Sequence, residues 1–220
     1  MDWTAIGLTA RLAVCTTAVL IVVGVPLAYW LATTKWRWRF FVEAVVALPL
    51  VLPPTVLGFY ILMAIGPRSR LGQLYESVAG RGLPFSFEGL LVASVLYSLP
   101  FAVRPFAAAF AGVDRRLVEA SWCLGVSRLG TFFRVILPLS WAGVLTGIVL
   151  SFAHTVGEFG VVLMVGGNIP GVTRTVSISI YDAVQALDYS AAGTTALVLL
   201  CFSFAVLSVT YALQRRWWVI

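Results

Sequence analysis

Five stretches of this 220-residue chain run for twenty or more residues with almost no charge. They cover residues 12–34, 44–67, 89–112, 135–157 and 189–214, and Arg104 is the one charged interruption. A helix needs about 20 apolar residues to cross the hydrocarbon core of a bilayer. Each stretch is therefore long enough to span. A water-soluble fold would have to expose much of this surface, since 60% of the residues are hydrophobic and only 11% are charged. Ordinary soluble domains carry about 25% charged residues. The expectation is an all-α integral membrane protein, a single transmembrane domain over residues 1–220 with about five spans.

The few charges then decide orientation. Ten of the 15 basic residues fall in the 35–43 loop, the 104–134 loop and the C-terminal tail: Lys35, Arg37, Arg39, Arg104, Arg115, Arg116, Arg128, Arg134, Arg215 and Arg216. The other five are Arg11, Arg68, Arg70, Arg81 and Arg174. Basic loops stay in the cytoplasm, so the N-terminus is expected outside and the C-terminus inside. The run Lys35-Trp36-Arg37-Trp38-Arg39 mixes cations with aromatics and reads as an interfacial belt, not as a nucleic-acid patch. Cys15, Cys123 and Cys201 are scattered and odd in number, which suits neither a disulfide framework nor a zinc site. Asp2 and Arg11 precede a long apolar run without a cleavage signal, so that run reads as a true first span.

Helix breakers mark the irregular places. Pro49, Pro53 and Pro54 fall in the second span, where each removes a backbone donor. Between Glu158 and Asp188, Gly166-Gly167, Pro170 and Gly171 interrupt an apolar segment. This segment reads as the end of span four, an external re-entrant loop and a short helix over 177–186. Irregular backbone at membrane depth is tolerated where it lines a cavity or is buried in protein, which makes the segment a candidate pathway lining. Gly143, Gly147 and Ser151 form a stripe of small residues suited to close helix approach, at a dimer seam or elsewhere.

The loop from Gly112 to Arg134 is the most informative part. Asp114 is placed to cap a helix over 115–124, with Leu117, Ala120, Ser121 and Leu124 on one face, and Gly125 is placed to end it. Glu119-Ala120-Ser121, Gly125, Val135 and Leu137-Pro138 follow the spacing of a pattern found in the permease subunits of ABC importers. There it reads Glu-Ala-Ala, three residues, Gly, nine residues, Ile, one residue, Leu-Pro. Ser121 stands in place of the second alanine and Val135 in place of the isoleucine. The resemblance implies a type I importer permease fold. It also implies a cytoplasmic coupling helix that docks on a dimer of ATPase subunits, with Glu119 at the docking surface. ATP and magnesium would bind those partners, and this chain would bind no cofactor; it has no GxxxxGK[ST] phosphate loop.

A second resemblance concerns the substrate. Gly157-Glu158-Phe159-Gly160, Gly167-Asn168-Ile169-Pro170-Gly171, Thr173-Arg174-Thr175 and Ile180-Tyr181-Asp182-Ala183-Val184-Gln185 look like the molybdate permeases of bacterial importers. The run Leu48-Pro49-Leu50-Val51-Leu52-Pro53-Pro54-Thr55-Val56-Leu57-Gly58 is similar to them too, as is most of residues 10–213. Sulfate and tungstate permeases are close relatives. The implied assembly is a homodimer in the bacterial inner membrane, surrounded by lipid and served by an external oxyanion-binding protein. Conduction of a dianion needs weak contacts, for which Thr55, Ser151 and Thr155 are candidates, with Pro53, Pro54, Asn168 and Pro170 shaping the pathway.

Glu158 and His154 lie four residues apart. An ionisable group at membrane depth is a functional candidate by default. A carboxylate repels a dianion, so the expectation for Glu158 is a structural or gating role near the outer end, bonded to backbone amides or an arginine. His154 reads as a packed or hydrogen-bonded residue. An enzyme would need a nucleophile–base pair or metal cluster, and His154 has no second ligand at suitable spacing. A secondary transporter would show internal repeats, and none is evident.

Overall fold

The computed structural model describes residues 2–217, with side chains through Ala212; Arg215 and Arg216, which enter the charge count, lie beyond the described side chains. The described residues are helices and connecting turns, with no strand among them. Three helices, α1 (Trp3–Thr33), α5 (Phe87–Ala111) and α12 (Tyr189–Trp217), carry stretches long and apolar enough to cross a membrane unaided. Two bent pairs raise the number to five if each pair counts as one span.

Helix α1 begins nine residues before the first apolar run because Asp2 caps it, accepting from Ala5 N at 3.0 Å. Arg11 lies exposed on α1 with its guanidinium carbon 4.2 Å over the Phe87 ring, a favourable cation–π contact. The second expected span, 44–67, is not one helix. It consists of α2 (Arg39–Val51) and α3 (Pro54–Ile65), bent by 116°. Leu52 has ψ 137° and Pro53 has ψ 136°. Residues ahead of a proline avoid the helical region, so the tandem prolines force both into extended backbone. Pro54 then opens α3 at a position where no donor is needed.

A short helix, α4 (Arg70–Ala79), follows. It starts at Ser69, whose Oγ accepts from Gly72 N, and ends at left-handed Gly80. Helix α5 runs through Arg104 to Ala111, so Arg104 belongs to a membrane helix and not to the loop after it. The loop itself holds α6 (Arg115–Cys123) and α7 (Arg128–Thr131). A π-helical turn over Phe132–Ile136 and α8 (Leu137–Leu139) come next. The fourth span is also shorter than 135–157. Helix α9 is Trp141–Gly157, and the 128–139 segment meets it at 76° around Ser140. Pro138 cannot donate to a preceding turn, and the Leu137 N–H reaches Phe132 O in the wider π register. The Ser140 hydroxyl anchors the corner by donating to Ala109 O at 3.1 Å.

Helices α1, α5 and α9 pack around Phe106, which is fully buried with Leu20, Ala28 and Val103. The stripe of small residues finds its role inside the chain, not at an outer seam. A side chain at Gly143 would collide with Ala109, and a Cβ at Gly147 would sit 2.5 Å from Phe106 Cε1. Beyond α9 the short helix expected over 177–186 is present, and a further helix precedes it. Helix α10 (Gly160–Gly166) and α11 (Val176–Gln185) are joined by the irregular connection 167–175. Gly167 (φ 65°) and Gly171 (φ 73°) take backbone that favours glycine there. Ile169 O accepts from the amides of Val172, Thr173 and Arg174, and Val176 N donates to Thr9 Oγ1 on α1 at 2.9 Å.

Candidate functional site: an exposed helical stub and a buried carboxylate

At one end of the bundle, α6 stands between two membrane helices. Asp114 caps it by accepting from Arg116 N at 2.8 Å. Its end is a Schellman turn: Gly125 N donates to Trp122 O at 2.9 Å and Val126 N to Ser121 O at 3.1 Å. Gly125 has φ 79°, which explains why glycine stands there. The face expected from the periodicity divides in two. Leu117, Ala120 and Leu124 are exposed, whereas Ser121 turns inward and its hydroxyl lies 2.9 Å from Thr131 Oγ1. The serine that replaces an alanine of the pattern thus ties α6 to α7. Glu119 is exposed and pairs with Arg115 Nε at 2.7 Å. Trp122 is exposed alongside. Leu137 and Pro138 lie in the short helix that turns the chain into α9.

The other candidate centre lies where α9 ends. Glu158 is 3% exposed and follows the last residue of α9 with extended backbone (ψ 137°). Ser94 Oγ donates to its Oε2 at 2.6 Å and Ser98 Oγ to its Oε1 at 2.7 Å. Its partners are therefore side chains of α5, not the backbone amides or arginine expected. Ser98 has one hydroxyl hydrogen, and it is committed to Glu158. The 2.9 Å contact between Ser98 Oγ and His154 Nδ1 therefore assigns the imidazole as donor through Nδ1. That nitrogen is also 3.4 Å from Glu158 Oε1. The ring of His154 stacks on Phe101 at 3.9 Å between centroids and packs against Tyr97 at 4.7 Å, so the packed and bonded histidine expected is what is found. Sequence reasoning missed Ser94 and Ser98. Their signal was two hydroxyls four residues apart in an apolar span, one face of one helix.

The other pathway candidates divide by exposure. Ser151 and Thr155 are buried, and their hydroxyls donate to carbonyls of their own helix, Ile148 O and Ser151 O, each at 3.0 Å. Pro53 and Thr55 are exposed at the α2–α3 break, with Pro54 half-buried beside them. This break meets the one after Glu158, since a Cβ on Gly160 would fall 2.8 Å from Pro54 Cβ. Gly58, one turn along α3, faces Met164 of α10 as closely. The structure thus brings Pro54 and Thr55 against Gly160, two residues after Glu158. Asn168 and Pro170 are exposed farther out. Arg174 Nε donates to Asn168 Oδ1 and Asn168 Nδ2 to Asp182 Oδ2, both at 2.7 Å.

Comparison with known proteins places this architecture. Residues 24–219 match the family described as binding-protein-dependent transport system inner membrane component. The molybdenum transport system permease protein of Azotobacter vinelandii is 51% identical over 214 residues, covering 97% of this chain and 95% of that one. A probable sulfate transport system permease protein of Chlorella vulgaris is 33% identical over 186 residues, covering 84% and 70%. Among solved structures, the inward-facing MetNI methionine ABC transporter superposes with a TM-score of 0.74 at 16% identity, covering 96% of this chain and 94% of that one. The fold agrees with importer permeases, and the sequence match spans the α6 stub, the broken second span and the Glu158 segment. The chain belongs to the family of binding-protein-dependent transport system inner membrane components, a transport subunit and not an enzyme.

Proposed function

We propose that this chain is the translocating subunit of an ATP-driven importer of molybdate, acting as a homodimer in the bacterial inner membrane. The observation that carries the substrate is 51% identity along nearly the whole length of a molybdenum permease, against 33% for a sulfate permease over a shorter match. The exposed stub α6 supports coupling. It presents Leu117, Trp122, Leu124 and the carboxylate of Glu119 outward. Both of its ends run into membrane helices. A partner ATPase dimer, which binds ATP and magnesium, would grip this surface and move α5 and α9 with it. In this reading the stub is cytoplasmic, the N-terminus is outside, and an external oxyanion-binding protein delivers the anion to the opposite end.

The paired breaks at Pro53–Thr55 and Glu158–Gly160 form the gate in this account. Exposed Thr55 offers the weak contacts a dianion needs. Ser151 and Thr155 are buried in α9 with their hydroxyls bonded to its own carbonyls, so they support that helix and do not touch the anion. Glu158 holds the wall to α5 through Ser94 and Ser98, so it acts by fixing the break and not by touching the anion. The test is uptake into liposomes by the chain assembled with its ATPase and binding protein. Labelled molybdate should enter with ATP and be competed better by tungstate than by sulfate. Uptake of sulfate alone would overturn the substrate, and uptake without ATP would overturn the importer.

A further inference from the structure

Between α1, α2 and α5, at the end of the bundle that leads into α6, lies an open cleft of about 330 Å³. Two arginines line it, Arg39 from the first turn of α2 and Arg104 from α5, together with one carboxylate, Glu43. Arg39 Nε is 3.6 Å from Glu43 Oε1. Arg104 has neither ion pair nor hydrogen bond among the described residues. It stands seven residues before the end of α5, about 10 Å along the axis. Its side chain is exposed, and an exposed guanidinium within an apolar span is costly unless something partners it; its long stem lets it reach toward the membrane surface. Leu31, Val46 and Val103 make the remaining walls apolar.

The Arg39 end of the cleft adjoins a run of exposed aromatics at the start of α2. Trp36, Trp38, Phe40 and Phe41, immediately before and within the start of α2, are all exposed, as an aromatic belt requires. With Arg39 and Glu43 paired, the cleft carries one uncompensated positive charge. A phosphodiester is a monoanion and matches it, and its acyl chains match the apolar walls. A transported dianion would bring one negative charge too many beside Glu43. We infer that this cleft binds the phosphate of an anionic membrane lipid, with Arg104 as its principal ligand and Arg39 at the rim.

The assembled importer, purified and placed in bilayer discs of phosphatidylcholine with or without phosphatidylglycerol, tests this. The readout is lipid retained by the complex in native mass spectrometry, beside its unfolding midpoint. Wild type should retain phosphatidylglycerol in preference to phosphatidylcholine. Arg104→Gln should lose that preference about fivefold to tenfold, as expected for one phosphate-contacting arginine, and Arg104→Lys should keep most of it. If Arg104→Gln does not assemble, Arg39→Gln, at the exposed rim, should show the same loss in smaller measure. Equal retention of both lipids by wild type, or unchanged preference in a folded Arg104→Gln, overturns the proposal. Displacement of the lipid by millimolar molybdate also overturns it, because the cleft would then be an exit for the transported anion.

Discussion

The two ends of the bundle handle polar groups in opposite ways. At the α6 end, Glu119 and its partner Arg115 face solvent, and Leu117, Trp122 and Leu124 stand exposed around them. At the other end Glu158 is buried, and its partners among the described residues are Ser94, Ser98 and His154. An exposed ion pair contributes little to stability, whereas a buried carboxylate is tolerated only because donors meet it. The α6 surface is therefore free to serve another protein, and the Glu158 cluster serves the fold and the shape of its own wall. Damage at the first should cost transport without stability. Damage at the second should cost both.

The largest effect on folding is expected at Glu158. Glu158→Ala removes the carboxylate that accepts from Ser94 and Ser98 and should cost about 3 kcal/mol, each unsatisfied group contributing about 1–3 kcal/mol; thermal unfolding of the purified complex measures it. Glu158→Gln keeps the shape and should impair uptake more than assembly, and a variant with normal uptake would remove the gating role. Ser98→Ala removes one bond to the carboxylate, so a loss of about 2 kcal/mol is expected. An effect as small as at an exposed serine would break the contrast.

At the α6 end the effects on folding are smaller. Gly125→Ala places a side chain in left-handed backbone and should cost about 1 kcal/mol. Nothing lies within 4 Å of a Cβ there, so the cost is conformational and should appear as faster proteolysis of the 112–134 loop. Ser121→Ala should cost about 0.5 kcal/mol while uptake persists, because its hydroxyl meets only Thr131.

Much of the fold was legible because apolar length and breakers are local signals. The five apolar runs locate the membrane helices, and Asp114, Gly125 and the spacing between them locate α6 with its true cap and stop. The bends were not legible in the same way. Pro53 and Pro54 announce a break, but the 116° angle depends on α3 packing against α10 through Gly58 and Gly160. The start of α9 moved to Trp141 because the π turn and the Ser140 corner involve a partner on α5, Ala109. Glu158 was recognisable as a site, yet its donors were not, since Ser94 and Ser98 are 64 and 60 residues away in sequence. Periodicity put Ser121 on one face with Leu117, Ala120 and Leu124, but Ser121 alone of the four is buried, with its hydroxyl against Thr131.

The most direct test of the account is ATP-dependent molybdate uptake by reconstituted wild type beside Glu119→Arg, with the unfolding midpoint of both complexes measured in parallel. Reversing this exposed charge should leave stability within about 0.5 kcal/mol and reduce uptake at least about tenfold, equivalent to about 1.4 kcal/mol of coupling to the ATPase. Full uptake by a stable Glu119→Arg complex would contradict the claim that α6 is where the energy of ATP enters this chain.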